Sequence, residues 1–395
     1  MKVLLCHPGT QHSGTLGAIL NRRKLLGRFY TGFRLKPGSM LEKFLKLSIH
    51  RALDESLAER TTQIWGPELF GKAAQTLGWR GEGLMRVRST WFQKLVPNRA
   101  IEASDAVIGF DTSSSILARR AQEFAKPFIL DRTAVHRATR ASILATLDRS
   151  GGGIPAATPK SNDVQDTLEA KEFALASKVV VASRFTERSL LDAGVAAEKI
   201  EVIPYGVDER WFGNGGKQAR SAGKTIFLFV GNITIEKGIG VLLTAWRQLK
   251  APDAELWLVG GGGGEIVRMA EGVAGVRVLG KLGPEALREV YLKASAFVFP
   301  TYFDGFGLVL LEAMASGLPI LATPNCAAPD LIKDGEAGRI FPVGDSASLC
   351  SAMEDVCLNL SAWVRKGDAA REIARSYLWE AYGSRYADML REMLA

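Results

Sequence analysis

Two acidic residues, Asp304 and Glu312, stand eight positions apart and flank a glycine-rich turn. The surrounding stretch FPTYFDGFGLVLLEAMASGLP, residues 299–319, has the pattern of a buried strand, an irregular loop and then a helix that begins near Gly307. Gly305 and Gly307 allow the backbone to turn tightly or to approach a ligand closely. The start of the helix offers unpaired N–H groups and a partial positive charge, which suit a phosphate. The sequence therefore predicts a phosphate-binding turn with a carboxylate on each side.

The spacing of these groups matches the parts of a nucleotide sugar. Glu312 lies about five residues into the helix, which places it roughly 7–8 Å along the helix axis. With a diphosphate at the helix end, Glu312 would accept hydrogen bonds from ribose hydroxyls and Asp304 from sugar hydroxyls. The pair alone is weak evidence, and the strand, glycines and helix around it make the prediction more specific.

The elements that must position these residues alternate between short apolar runs and helical stretches, which is typical of parallel sheets built from βαβ units. The predicted strands are residues 2–6, 105–110, 127–131, 178–182, 200–203, 225–230, 255–259, 276–279, 296–299 and 319–322. Ser183 is expected to cap a helix that Gly194 ends, and Gly283 with Pro284 is expected to open another. The fold class is therefore α/β.

A break in this alternation indicates two domains. At 395 residues the chain is too long for one ordinary core. The glycine-rich and charged segment 206–222 is predicted to link a first domain, 1–205, to a second domain, 223–376. A glycine- and proline-rich stretch, residues 150–159, is predicted to be a surface loop of the first domain.

Composition and charge narrow the class of protein. The chain is 47% hydrophobic and 23% charged, which excludes wholesale disorder, and no apolar run approaches the roughly 18 residues that cross a bilayer. The opening segment is too short and too soon broken by proline for a signal peptide. The four cysteines have neither metal-ligand nor redox spacing, so we expect a reducing, cytoplasmic location.

The positive charge is concentrated in the first half of the chain. Of the net charge of +8, residues 1–205 carry +10 and residues 206–395 carry −2. Residues 40–53 place apolar side chains at helical spacing among basic ones, which suits either an ordinary core-facing helix or a helix lying on an anionic membrane. Peripheral contact with the cytoplasmic face of a membrane is thus a second hypothesis beside a merely solvated basic surface.

The stretch around Asp304 and Glu312 resembles the E-x7-E region of retaining glycosyltransferase family 4, the group 1 glycosyl transferases. The resemblance extends to VASRFTERSLLDAG and EKIEVIPYGVD within 181–208, to VGNITIEKG at 230–238 and to residues 320–345. It covers about half of the chain, and the first hundred residues match only in general plan. It implies the GT-B fold, two Rossmann-like domains whose parallel sheets face each other across a cleft. It also implies that residues 377–395 form a helix crossing back to the first domain.

The same resemblance implies a set of site residues. Lys237 resembles the lysine that pairs with the donor diphosphate, where a fixed cation stabilises the charge of the leaving group. Glu312 resembles the ribose-binding glutamate, and Asp304 occupies the place of the first glutamate of the pair. Residues resembling the diphosphate-contacting turn are Phe306, Gly307, Leu308 and Val309. Residues resembling the lining of the nucleotide site are Gly231, Gly260 and Lys281. Gly14 ends a segment, residues 9–14, that resembles the family's flexible N-terminal loop near the donor phosphates and that equally suits a simple βα turn.

This sequence departs from the family pattern at three places. Asn232 stands where the family usually has an arginine, which leaves one cation fewer at the diphosphate. Asp304 is one methylene shorter than the usual glutamate. The usual catalytic histidine of the first domain lacks its familiar context, and His136 in FILDRTAVHR is the candidate for its role. Arg132 is proposed to supply, from across the cleft, the cation that Asn232 does not.

The resemblance implies a retaining, metal-independent hexosyltransferase, and no cofactor is expected. Its donor would be a nucleotide sugar, with a UDP-sugar such as UDP-glucose favoured over GDP-mannose. Its acceptor would be a saccharide or a lipid-linked molecule in polysaccharide or glycolipid synthesis. No Asp-x-Asp and no His/Cys cluster with metal-ligand spacing occurs, nor does a nucleophile elbow or a Walker lysine motif.

Two alternatives remain open from the sequence. A nucleotide-sugar epimerase of the same fold would convert the donor without an acceptor. A non-catalytic nucleic-acid-binding protein would use the basic half of the chain. The second is disfavoured because few aromatic residues interleave with the basic ones and no recognition motif is present, so no nucleic-acid partner is expected.

Overall fold

The structure is a computed structural model, and it describes residues 1–9, 11–33, 55–79, 81–149, 163–212 and 224–395. Two sheets organise this part of the chain, and every pair of neighbouring strands in it is parallel. The first sheet has seven strands in the order β3-β2-β1-β4-β5-β6-β7. Its strands are β1 (Val3–His7), β2 (Leu26–Thr31), β3 (Thr61–Gln63), β4 (Ala106–Phe110), β5 (Phe128–Arg132), β6 (Lys178–Val181) and β7 (Ile200–Val202).

The second sheet has six strands in the order β10-β9-β8-β11-β12-β13. Its strands are β8 (Thr225–Val230), β9 (Ala254–Val259), β10 (Val276–Gly280), β11 (Ala296–Phe299), β12 (Ile320–Ala322) and β13 (Gly338–Ile340). In both sheets the order reverses beside the first strand of the sheet. Loops that follow the carboxyl ends of strands at such a point form the usual ligand crevice of open α/β sheets.

Helices connect the strands of each sheet. Those associated with the first sheet are α1 (Ser13–Arg22), α2 (Gly66–Thr76), α3 (Glu82–Leu95), α4 (Asn98–Glu102), α5 (Ser115–Glu123), α6 (Arg137–Arg149), α7 (Asp163–Leu175) and α8 (Arg184–Leu191). Those that follow are α9 (Ile239–Gln248), α10 (Glu265–Glu271), α11 (Pro284–Lys293), α12 (Leu308–Ala315), α13 (Ala328–Leu331), α14 (Ser346–Leu358), α15 (Leu360–Ala374) and α16 (Trp379–Leu394).

The sheets are buried because their strands are apolar on both faces. In β1, Val3 and Leu5 pack into one hydrophobic cluster, whereas Leu4 and Cys6 pack into another. Successive side chains of a strand point to opposite faces, so a strand covered on both sides has a continuous apolar run instead of an alternating one. This explains why short apolar runs located the central strands.

All ten predicted strands are present, with ends that differ by at most one residue. Three strands were missed: β2, β3 and β13. In β2 an apolar run is interrupted by Gly27 and Arg28, and β3 and β13 have only three residues each. Ser183 caps α8 as predicted, since its side chain accepts a hydrogen bond from the Thr186 N–H group.

The chain passes between the two sheets twice, and the two passages lie side by side. The Val207 N–H group donates to the Tyr377 carbonyl at 2.7 Å, and a Cβ added to Gly206 would lie 2.3 Å from the Trp379 nitrogen. From there α16 packs on α1, where Arg23 forms a 2.8 Å ion pair with Glu380. Residues near both ends of the chain thus join at the first sheet.

Several predicted segments lie outside the described residues. These are the amphipathic stretch 40–53, the loop 150–159 and the part of the linker after residue 212. Within the described ranges, no helix has the length and apolar character needed to cross a membrane.

Candidate functional site

The predicted phosphate-binding turn has the expected backbone geometry. Gly307 is the N-cap of α12 and has a left-handed conformation with φ of 85°. A Cβ at this position would lie 2.9 Å from the Phe299 ring, so both conformation and space favour glycine. Phe306 before it is buried, whereas Leu308 and Val309 after it retain exposure at the start of the helix. The first N–H groups of α12 therefore lie at a partly exposed helix start, which suits an anionic ligand.

Lys237 reaches this turn because the loop that carries it is bonded to the strand–turn segment. The Glu236 carbonyl accepts a hydrogen bond from the Tyr302 N–H group at 2.9 Å. Gly238, with φ of 74°, allows a close approach, since a Cβ there would lie 1.9 Å from the Pro300 carbonyl oxygen. In this arrangement the Lys237 Nζ atom donates to Asp304 Oδ2 at 2.7 Å. The predicted cation and the first acidic residue are therefore adjacent.

Glu312 lies on α12, and one of its carboxylate oxygens accepts a hydrogen bond from a buried tyrosine. The Tyr291 hydroxyl donates to Glu312 Oε2 at 3.0 Å, and Tyr291 is itself fully buried. Burial raises the pKa of Glu312 to about 7, while the bond from Tyr291 and the charge of Arg210 act in the opposite direction. The structure shows no hydrogen bond from another described residue to the second carboxylate oxygen. Neither Tyr291 nor Arg210 was identified from the sequence.

Three further turns of the second sheet meet beside this helix. The Gly231 N–H group donates to the Val259 carbonyl at 2.9 Å, and Gly260 N–H to the Gly280 carbonyl at 2.8 Å. A Cβ at Gly260 would lie 1.8 Å from the Gly231 carbonyl oxygen, so this close approach requires glycine. Asn232 and Lys281 are exposed at the same turns. The structure thus brings the predicted lining residues together at the carboxyl ends of β8, β9 and β10.

The loop that carries Asp304 contacts the first domain. The Gly305 carbonyl accepts hydrogen bonds from Ser183 Oγ at 2.6 Å and from Thr186 Oγ1 at 2.9 Å. A Cβ at Gly305 would lie 1.9 Å from the Thr133 carbonyl oxygen. The two domains therefore touch at the turn itself, and Gly305 is required by this contact between domains.

Arg132 is buried and paired with carboxylates of the first domain. Its guanidinium is 2% exposed and forms ion pairs with Asp111, at 3.6 Å, and with Glu169. It also donates to the carbonyls of Ala134 and Val135. Its charge is thus neutralised inside the first domain because burying an arginine requires such partners. The role of Arg132 as the cation missing at position 232 stays a prediction that this placement does not favour.

His136 lies in the same buried network. Its Nδ1 atom accepts from the Ala138 N–H group at 3.2 Å at the start of α6, and its Nε2 atom lies 3.3 Å from Glu169 Oε2. Burial lowers the pKa of His136, which favours the neutral ring. Both ring nitrogens thus have partners, an arrangement that suits a structural role. Its catalytic role stays a prediction that this placement does not favour.

A second histidine was missed from the sequence. His12 precedes α1, and its Nε2 atom lies 3.2 Å from the carboxylate of Asp131 at the end of β5. The Tyr382 hydroxyl of α16 donates to the same carboxylate at 3.3 Å. Tyr205 contacts the His12 ring and also the Phe306 ring, with centroids 4.4 Å and 5.1 Å away. This cluster connects α16 to the turn before α12, which contains Phe306.

Gly14, predicted to belong to a flexible loop near the donor phosphates, is the second residue of α1. Its place in the site stays a prediction. Among the residues that the structure describes, no group of three or more His, Cys, Asp and Glu side chains is arranged to hold a metal ion.

The two parallel-sheet α/β domains, which meet at the turn before α12, have the GT-B fold of glycosyltransferases, as predicted. Solved structures agree: Anabaena Alr3699/HepE, crystallised with UDP and glucose, superposes with a TM-score of 0.69 at 16% identity, over 99% of this chain and 100% of that one. Residues 224–359 match the family model "Glycosyl transferases group 1". The resemblance found in the motifs is thus confirmed over this part of the chain, which is similar to the group 1 glycosyl transferases.

Two curated relatives are similar over part of their length. The D-inositol 3-phosphate glycosyltransferase of Corynebacterium kroppenstedtii is 29% identical over 220 residues, which are 50% of this chain and 49% of that protein. The phosphatidyl-myo-inositol mannosyltransferase of Mycobacterium leprae is 34% identical over 168 residues, 41% of this chain and 45% of that protein. The chain therefore matches about half the length of these relatives.

Proposed function

We propose that this protein transfers a hexose from a nucleoside diphosphate sugar to a saccharide or lipid-linked acceptor, with retention of configuration. The observation that carries the proposal is the arrangement of Lys237, Asp304 and Glu312 around the start of α12. One cation, one helix end and two carboxylates there correspond to the diphosphate, the sugar and the ribose of such a donor.

In the proposed reaction the bond between the sugar C1 atom and the diphosphate oxygen breaks while C1 bonds to the acceptor oxygen on the same face. The acceptor proton passes to the departing diphosphate oxygen. Lys237 and the N–H groups at the start of α12 stabilise the charge that develops on that leaving group. When a donor binds, its diphosphate competes with Asp304 for the Lys237 ammonium, which frees Asp304 for the sugar hydroxyls.

The donor favoured here is a UDP-sugar, with GDP-mannose as the second choice. The fold neighbour Anabaena Alr3699/HepE was crystallised with UDP and glucose, which supports the first choice by analogy of fold alone. The curated relatives act, by name, on inositol phosphate and phosphatidylinositol, which supports a polar or lipid-linked acceptor. We further propose that the lysine and the helix end replace a divalent cation.

The test is a screen of nucleotide sugars for slow hydrolysis in the absence of acceptor, followed by Lys237→Ala with the donor that is found. We expect the variant to lose at least about a thousandfold in turnover because the leaving-group charge loses its fixed cation. Lys293→Ala is the matched control, since Lys293 is an exposed lysine paired only with its helix neighbour Glu289 in the described contacts. Wild-type turnover in Lys237→Ala would remove this residue from the mechanism.

The same assays examine the remaining features of the proposal. Proton NMR of the first-formed product gives the anomeric configuration, and an inverted anomer would contradict retention. Activity that disappears with EDTA and returns with Mg²⁺ would contradict metal independence. Conversion of the donor sugar to its epimer without acceptor would favour the epimerase alternative.

A further inference from the structure

One surface of the first domain exposes far more apolar side chains than the remainder of the described chain. Fourteen large apolar side chains are exposed in the described residues, and nine of them lie within residues 65–95. They belong to α2, to α3, to the turn between these helices and to the position just before α2. They are Trp65, Leu69, Phe70, Leu77, Trp79, Met85, Val87, Trp91 and Leu95, called here the aromatic patch.

The aromatic residues of the patch contact one another. The Phe70 ring lies 6.1 Å from the Trp79 ring and 5.9 Å from the Trp91 ring, between centroids. A Cβ at Gly66, the residue after Trp65, would lie 3.3 Å from the Trp91 ring. The rings therefore form one continuous surface across the two helices. Folded proteins seldom expose such contiguous apolar surface unless a partner covers it.

The charge around the patch is positive. Residues 65–95 contain five lysines and arginines and two glutamates. Both glutamates are paired with arginine: Glu68 with Arg88, and Glu82 with Arg137. An open groove at the end of α3 adds Arg119 beside Lys94. The positive charge on this surface thus exceeds the negative charge available to balance it.

These properties favour an anionic lipid surface over a second copy of the chain. Two copies meeting at this patch would bring two halves of net charge +10 together, which is unfavourable. An anionic bilayer would attract the same charge, and tryptophan and phenylalanine rings are well suited to the boundary between head groups and acyl chains. We propose that the aromatic patch docks this protein onto membranes that contain anionic phospholipids.

The position of the patch fits this partner. Trp65 comes just after the carboxyl end of β3, at the same edge of the first sheet as the end of β5, which leads to the contact between Thr133 and Gly305. A docked molecule would therefore hold this edge of its cleft near the membrane surface. Delivery of a lipid-linked acceptor there rests on the proposed function, whereas membrane binding by the patch does not.

The experiment measures co-sedimentation of the full chain with vesicles of phosphatidylcholine alone and of equimolar phosphatidylcholine and phosphatidylglycerol. We expect binding to the second composition and much weaker binding to the first. Phe70→Ser/Trp79→Ser/Trp91→Ser should lower the partition coefficient by at least about tenfold because the apolar contact is lost. Lys72→Gln/Arg86→Gln/Lys94→Gln should lower it by about tenfold or more at low salt.

Leu191→Ser/Leu358→Ser is the matched control, since both leucines are exposed and lie outside the patch. It should bind vesicles as the wild type does, and circular dichroism should show that every variant is folded. Absence of wild-type binding to anionic vesicles at low salt would overturn the proposal. So would wild-type binding by the aromatic variant, or a wild-type dimer that this variant converts to a monomer. None of these measurements requires donor turnover, so they are independent of the proposed function.

Discussion

Replacing Glu312 by glutamine tests whether its buried carboxylate is maintained for donor binding at a cost in stability. The substitution keeps the size of the side chain and an oxygen that can accept the Tyr291 hydroxyl bond. It removes the negative charge that burial makes unfavourable. We expect Glu312→Gln to be more stable than the wild type above pH 7 and to bind donor less tightly.

The magnitude follows from the pKa of this carboxyl. Folding raises the pKa of Glu312 from 4.5 to about 7. Each pKa unit corresponds to about 1.4 kcal/mol, so the free energy of unfolding should fall by up to about 3 kcal/mol between these two pH values. The sign is fixed because the folded state binds the proton more tightly in this interval than the unfolded state does. Well below pH 4.5 this carboxyl is protonated in both states and no longer changes the free energy of unfolding with pH.

Urea unfolding of wild type and variant at pH 5 and pH 8 measures this effect as the difference between the two proteins. The comparison is needed because burial also raises the pKa of Glu172 to about 7, so the wild type alone reports both groups. Glu289→Gln is the matched control, since Glu289 is an exposed glutamate on α11, the helix that carries Tyr291.

Donor affinity, measured by calorimetry, should show the opposite effect. A UDP-sugar is the appropriate ligand, because the terminal phosphate of a free nucleoside diphosphate is expected to titrate near pH 6, as other phosphate monoesters do. Loss of a charged acceptor should weaken binding at pH 8 by about tenfold. The reasoning would be refuted if Glu312→Gln matched the wild type in donor affinity and showed the same change of stability with pH.

Two further substitutions test the contact between domains and the role of His136. Gly305→Ala places a methyl group against the Thr133 carbonyl, so steady-state kinetics should show a loss of about a hundredfold in kcat/KM, as a displacement of about 1 Å can cause. Gly240→Ala, whose Cβ would meet open space, is its control, and equal activity of the two variants would contradict this role. His136→Ala should lower the free energy of unfolding by about 1 kcal/mol and change turnover by less than about tenfold, as expected for a capping residue. A loss of turnover of about a hundredfold or more in a folded His136→Ala protein would instead restore the catalytic assignment.

Much of the fold could be predicted because its requirements are local. Continuous apolar runs located ten strands, and Ser183 and Gly307 marked helix starts through their own hydrogen-bonding and backbone properties. The strands that were missed lack such a run: β2 is interrupted by glycine and arginine, and β3 and β13 are very short. Their pairing depends on neighbours that are distant in the chain.

By itself, the sequence determined the α/β class, the glycine turn before α12 and the resemblance to group 1 glycosyl transferases. It could do so because buried strands require continuous apolar runs and left-handed turns favour glycine. Only the tertiary structure decided which charges remain available for a ligand. Asp304 meets Lys237 across 67 positions, and Arg132 is neutralised by Glu169 across 37. Such pairings determine whether a charge is neutralised within the protein or can interact with a substrate. They form only when the fold brings together residues that are distant in the chain.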